Sequence, residues 1–382
     1  MTSKIMKKIA SAAPFFDDED IETISQDIKQ ILKNKKLVLG PYTQKFEKLF
    51  SEYHDTKYGV AVSSATAALE IVLTYCNVKD AEVIVPCNTF IACPNTVIYA
   101  GGKPVFADMN PKTFCIDIDD VRKKISPKTK VIMAVHLGGL PEPEMDALDE
   151  LCKEKGIHLM EDASHAHGAT TLKGRKVGSL GIAGCFSLFA TKILPTGTGG
   201  MMTTDDPKLQ EFAEAFRHQG GMGGEGRIEV FDKFGYDFMM NEMTATLGIN
   251  QLLKLDKHLE KRRKIAAQYE KELSKIDGVH CLPKVNPGNV YWKFITVLDE
   301  NIDRNKVRLE MREKHMIDAG ILYPTLCHLQ PVYTDLGYKE GECPTAERII
   351  KHQLTLPVNP YMTEEDVSYV VESLHDVIQK KP

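Results

Sequence analysis

Between residues 17 and 36, apolar side chains recur every three or four positions. Ile21, Ile24, Ile28, Ile31 and Leu32 share one face, which predicts an amphipathic helix over Asp17–Lys36. Asp17, Asp18, Glu19 and Asp20 fall at the positive end of its dipole, so this acidic run reads as a helix start and not as a metal site. Gly40-Pro41 then breaks the chain. From about residue 55 the pattern changes to short apolar runs separated by helical stretches. Tyr58–Val62, Val83–Val85, Val105–Ala107, Val131–Val135 and Ile157–Met160 are predicted strands, while Thr66–Tyr75, Ile91–Ala100 and Glu144–Lys155 are predicted helices. Such alternation gives a mostly parallel sheet covered on both faces. Ligands of these sheets bind beyond the carboxyl ends of the strands.

After about residue 255 the pattern changes again. Lys257–Ile276 reads as a long charged helix and Tyr291–Leu298 as a strand. Arg304–Lys314, Thr345–His352 and Glu364–Lys380 read as helices, the last capped by Thr363. The expected organisation has three parts: an N-terminal helical segment (1–54) packing on the small domain, a large α/β domain (55–250) and a small α+β domain (251–382).

The 382 residues suit two domains. Lys and Arg number 48 against 53 Asp and Glu, and a net charge of −5 argues against a general nucleic-acid binder. No apolar run reaches the roughly 18 residues a membrane span requires. The nine cysteines form no C-x-x-C pair, and their odd number fits reduced thiols in a reducing compartment. Met1–Pro14 lacks the apolar stretch of an export signal, so a cytoplasmic location is expected.

Four segments that follow strands carry candidate chemistry. Ser63-Ser64-Ala65-Thr66-Ala67-Ala68 puts small residues at a strand-to-helix turn, where free backbone N–H groups favour a phosphate. Asn88-Thr89-Phe90 offers an aromatic that can stack on a planar ring. Asp162, in Glu161-Asp162-Ala163-Ser164-His165, stands at a strand's carboxyl end, where it can hold a cationic ring nitrogen. His165 can contact a neighbouring oxygen. Lys192 lies between the aromatic run Phe186–Phe189 and the glycine-rich turn Gly197-Thr198-Gly199-Gly200. Desolvation there would lower its pKa, as a Schiff-base amine requires. Phosphate turn, stacking aromatic, ring-nitrogen carboxylate and reactive lysine together describe a site for pyridoxal 5′-phosphate (PLP). No metal site is expected: of the two histidines after this strand, only His165 fits the cofactor reading, and His167 reads as a core or loop histidine.

From about Gly40 to Asp366 the sequence resembles the DegT/DnrJ/EryC1/StrS family of PLP-dependent aminotransferases, which mostly act on keto sugars. The resemblance rests on Ser64–Leu69, Thr89-Phe90, Lys103–Asp108, Val135–Gly139, Glu161-Asp162-Ala163, Phe186-Ser187 with Thr191-Lys192, Gly235-Tyr236-Asp237 and Leu354–Pro357. It implies the PLP-dependent transferase fold type I: a large three-layer α/β/α domain, a smaller α+β domain, and a homodimer with shared active sites. It implies that Lys192 forms the internal aldimine and shuttles protons, and that Asp162 pairs with the pyridinium nitrogen. Ser187, with the Ser64-Ala65-Thr66 turn, would hold the phosphate. Phe90 would stack on the ring, and His165 would approach its hydroxyl. Asp237 would reach the phosphate from the neighbouring subunit, while Arg217, His218, Arg227 and His328 match positions near the substrate. The sequence departs from the family at Ala65, Thr198, Asp237 and Met239, where Gly, Glu, Asn and a basic residue are usual.

The implied reaction moves an amino group from an amino acid, glutamate in the family's usual way, to a nucleotide-linked keto sugar. Alternative acceptors are a cyclitol ketone, a free keto sugar or its phosphate, and a keto-octulosonate. Two rival readings are a sugar dehydratase and a non-catalytic PLP-binding regulator. Family dehydratases carry His at the lysine position, whereas this chain has Lys192.

Overall fold

The computed structural model describes residues 8–221 and 230–379. Its strands are β1 (Tyr58–Val62), β2 (Glu82–Pro86), β3 (Lys103–Ala107), β4 (Thr129–Val135), β5 (His158–Asp162), β6 (Ala183–Ser187), β7 (Gly200–Thr204), β8 (Val279–Cys281), β9 (Phe294–Leu298) and β10 (Gln353–Leu356). The first seven form one sheet in the order β1-β7-β6-β5-β4-β2-β3. Strands β3, β2, β4, β5 and β6 run parallel, and β7 is antiparallel to both of its neighbours. Helices bury both faces. Leu69, Val72, Val97 and Leu209 pack on one side, and Val121, Leu148 and Leu151 on the other. With both faces covered, the central strands read as continuous apolar runs such as Val131–Val135.

The second sheet, β10-β9-β8, is antiparallel. It packs with the helices Leu255–Leu273, Arg304–His315 and Glu364–Gln379 around Tyr269, Phe294, Met311 and Val370. This is the α/β architecture of fold type I, with a large three-layer part and a smaller α+β part.

The helix Asp18–Asn34 opens on a capping box between Asp17 and Asp20. Gly40-Pro41 ends one segment and starts another, because Gly40 is the N-cap and Pro41 the first residue of the helix Pro41–Tyr53. The packing expected for the N-terminal helices needs correction. Both lie against the helix Glu242–Leu253, which leads out of the large sheet's domain. Lys254 pairs there with Asp17 and Asp20, and Glu242 accepts hydrogen bonds from Gly40, Tyr42 and Thr43. The smaller part is reached by the stretch around Ile9, which bridges to Ile317, by Phe15, whose ring meets Tyr361, and by Tyr53, which donates to Asp256. The physical reason is the buried Glu242 carboxylate, whose lone pairs are met by the free N–H groups that start the Pro41–Tyr53 helix.

Candidate active site

Because β1, β2, β4, β5 and β6 share one direction, the segments that follow them gather at one edge of the sheet. The helix Ala65–Tyr75 starts there. Ser64 is its N-cap, with Oγ accepting from Ala67 N at 3.1 Å. Among the described hydrogen bonds, the N–H groups of Ala65 and Thr66 find no acceptor. They form the anion-ready helix start that the sequence predicts. Gly200 of β7 runs against this turn, and a Cβ there would lie 2.3 Å from the Ser64 carbonyl carbon. Ser187 ends β6 half-buried beside it.

Asp162 ends β5 and is buried. Its carboxylate accepts from Cys93 Sγ at 2.9 Å and from Ser164 N at 3.0 Å. Thr89 Oγ1 lies 3.1 Å from the same sulfur, so the loop after β2 supports the carboxylate through a thiol. Lys192 is half-buried, and among the described residues its Nζ has no hydrogen-bond or ion-pair partner. Burial pushes its pKa down to about 8, with the negative charge of Asp162 pulling the other way. An amine in this range is a nucleophile near neutral pH.

The chain's one tryptophan completes the site. Lys192 Nζ sits over the Trp292 ring, 4.2 Å from its centroid. Trp292 Nε1 donates to Thr191 O at 2.7 Å. Its other partner is His165, which stacks on it. Burial and the nearby Lys192 charge hold the His165 imidazole well below its ordinary pKa, so it is neutral. Gly138 N donates to His165 Nδ1 at 3.4 Å, and Tyr323 Oη lies 3.3 Å from Nε2. A Cβ on Gly139, at φ 98°, would lie 2.7 Å from Trp292 N, so this turn requires glycine. Lys293 is the next cation, pushed down to about 7 by burial and by Arg262 and Lys192; its Nζ donates to Ser11 O at 2.6 Å.

Phe90 stands at the mouth, 55% exposed and 5.9 Å from the Tyr323 ring. Asp237 is exposed, and its backbone pairs with His218, which is half-buried. Two residues expected near the substrate are buried and paired within the chain. Arg217 is buried under β1, where Nη1 donates to Glu47 Oε1 at 2.5 Å and to Ala61 O at 2.7 Å. Its charge is paired with Glu47. His328 is fully buried, with Nε2 2.9 Å from Glu347 Oε1. Arg227 lies outside the described residues. Sequence reasoning missed Trp292, Tyr323, Cys93 and Lys293. Only Trp292 carried a signal, as a single tryptophan beside a strand.

A mixed sheet of this strand order, with an amine, a buried carboxylate and a phosphate-ready helix start at its carboxyl edge, defines a PLP-dependent aminotransferase. The chain belongs to the DegT/DnrJ/EryC1/StrS aminotransferase family, whose model matches residues 18–375. It is 31% identical over 377 residues to the GDP-perosamine synthase of Escherichia coli O157:H7, covering 98% of this chain and 100% of that protein. Among solved structures it is similar to Helicobacter pylori PseC, an aminotransferase involved in the biosynthesis of pseudoaminic acid. That match has a TM-score of 0.92 at 25% identity, over 98% of this chain and 100% of the other. It is similar also to Spr1654 of Streptococcus pneumoniae in its PMP form. Here the TM-score is 0.91 at 26% identity, over 98% of each chain. None of the described helices is long and apolar enough to cross a membrane.

Proposed function

We propose that this enzyme moves an amino group from an amino acid, glutamate by preference, to a nucleotide-linked keto sugar in two half-reactions. The observation that carries the reaction type is Lys192: an unpaired amine with a lowered pKa, at the same sheet edge as the buried Asp162 carboxylate. The full-length likeness to a GDP-perosamine synthase supports the acceptor class.

Bound PLP supplies a carbonyl that takes up the amino group and a ring that withdraws electrons from it. The chain's residues do the rest. The Ala65 and Thr66 N–H groups, with Ser64 and Ser187, hold the phosphate. Asp162 keeps a proton on the ring nitrogen, and its bonds from Cys93 and Ser164 fix the carboxylate's orientation. Phe90 would cover one ring face, and His165 would stand at the ring hydroxyl. Lys192 Nζ would carry the proton between the substrate Cα and the cofactor C4′. Asp237 belongs to a second copy's site in this reading, which makes the working unit a homodimer. Its surroundings support that arrangement: Phe234 is 97% exposed, and Tyr236 and Phe231 about half, as expected of a face another subunit covers.

The test is direct. PLP should give a yellow protein, and borohydride should fix the cofactor to Lys192, read by peptide mass. Glutamate should bleach the colour and release 2-oxoglutarate. A panel of nucleotide-linked keto sugars, free keto sugars and cyclitol ketones, read by product mass, then identifies the acceptor. Fixation at another lysine would refute the assignment of the site, and amination of only a cyclitol would refute the acceptor class.

A further inference from the structure

Beside the loop that carries Phe90, three side chains distant in sequence meet in the interior. Cys87 follows β2, His328 lies on the short turn Cys327–Leu329, and Cys343 is the N-cap of the helix Pro344–Ile349. All three are fully buried, and their ligating atoms lie within 4.8 Å of one another. We infer that Cys87, Cys343 and His328 form a binding site for a thiophilic divalent cation, zinc by preference, that ties the end of β2 to the C-terminal part of the chain.

The donor set is the first support. Two thiolates and an imidazole suit zinc, and two thiolates neutralise its charge in an interior that could not hold a bare dication. The second is the state of His328. Its Nε2 faces Glu347 Oε1 at 2.9 Å, and Glu347 is itself held by the N–H groups of Gly341 and Cys343. A carboxylate on one ring nitrogen places the proton there and leaves the other with a free lone pair, as second-shell carboxylates do for metal-bound histidines. That other nitrogen, Nδ1, is buried and has no hydrogen-bond partner. An interior of packed thiols leaves such an atom unmet, whereas an ion uses it. The third is spacing. Two Zn–S bonds of about 2.3 Å at a tetrahedral angle put sulfurs roughly 3.8 Å apart, so small side-chain rotations close the site.

Three protein ligands leave one position for an exogenous group such as water. Binding releases the two thiol protons. The site also touches the cofactor pocket through the backbone. Cys327 N donates to Cys87 O at 2.9 Å, and Tyr323 N donates to Asn88 Oδ1 at 3.1 Å. The ion would therefore steady the loop that carries Phe90. No such spacing is visible in the sequence, because the ligands come from three separate segments.

The full-length, PLP-loaded protein is stripped with a chelator and exchanged into buffer containing zinc alone or cobalt(II) alone. Bound metal is then measured by elemental analysis. The expected result is one ion per chain and, with cobalt, absorption bands in the red, where the cofactor is transparent. X-ray absorption at the zinc edge should show both sulfur and nitrogen neighbours. Cys87→Ser, Cys343→Ser and His328→Asn should each lose the ion, and Cys281→Ser, away from the site, should keep it. A wild-type protein that retains no ion after exchange, or holds one without sulfur neighbours, overturns the inference whether or not the variants fold.

Discussion

The imidazole of His165 and the indole of Trp292 lie stacked, with centroids 3.9 Å apart and planes 19° from parallel. His165 comes from the turn after β5, and Trp292 from the segment that leads into β9. One ring therefore joins the sheet edge to the smaller part of the molecule while its face also holds Lys192. The lysine is set against an aromatic wall and not against a counter-ion, which leaves it free to react.

Trp292→Phe should keep the stack and lose only the bond from Nε1 to Thr191, costing about 1 kcal/mol. Trp292→Ala should cost about 3–5 kcal/mol and weaken cofactor retention as well. Urea unfolding of each variant, paired with a PLP titration, checks both values.

The lowered pKa of Lys192 sets a pH dependence. Below about 8 the amine is protonated and unreactive, and above it the amine is free. In cofactor-free protein, labelling of Lys192 by an acylating reagent should rise through pH 8, read by peptide mass. Asp162→Asn removes a charge that favours the protonated amine, so the midpoint should fall. The linkage has a definite sign. Between about 8 and the ordinary 10.5, the unfolded chain holds the Lys192 proton and the folded chain does not. This residue therefore makes stability rise with pH across that window.

Lys192→Ala should lower turnover by at least about 10²–10⁴-fold, the usual scale for losing a positioned proton carrier. Circular dichroism should be little changed, since among the described residues Nζ makes no hydrogen bond or ion pair and only its contact with the Trp292 ring is lost. Product formation from glutamate and a keto acceptor is the measurement. Wild-type turnover would remove Lys192 from the chemistry.

Arg217 has a structural role, so its removal should act on stability. Arg217→Met leaves the half-buried Glu47 without its cation, holding only the bond from Ala61 N, at a cost of up to about 3 kcal/mol. The double variant with Glu47→Leu should recover much of that loss. KM for the amino acceptor should stay unchanged in whichever variants fold, whereas an arginine that binds substrate would raise it.

Gly200→Ala would push a methyl to 2.3 Å from the Ser64 carbonyl carbon. The turn that offers the Ala65 and Thr66 N–H groups has to move. Overpacking of about 1–3 kcal/mol translates to a PLP Kd raised roughly tenfold or more, measured by absorbance titration. An unaltered Kd would move the phosphate away from this helix start.

The sequence by itself determined the local elements and the order of the chemistry. β1 runs over Tyr58–Val62 as its β-rich pattern predicts, Asp162 is the last residue of β5, and Lys192 follows β6. Both features depend on neighbours in the chain: apolar period, turn residues and caps. The helices Pro207–Phe216 and Glu242–Leu253 were not legible. Glu242–Leu253 is buried on several sides, which blurs a one-sided period, whereas Pro207–Phe216 buries Leu209, Ala213 and Phe216 on one face and its period is simply short. Tertiary structure alone decided which polar side chains face the site. Arg217 and His328 carry the same chemistry on paper as a substrate ligand does, yet Glu47 and Glu347 claim them in the interior. It also brought Trp292 to Lys192 and Cys93 to Asp162 across long stretches of chain. A side chain's partner is set by packing between distant segments, and that information does not reside in spacing along the chain.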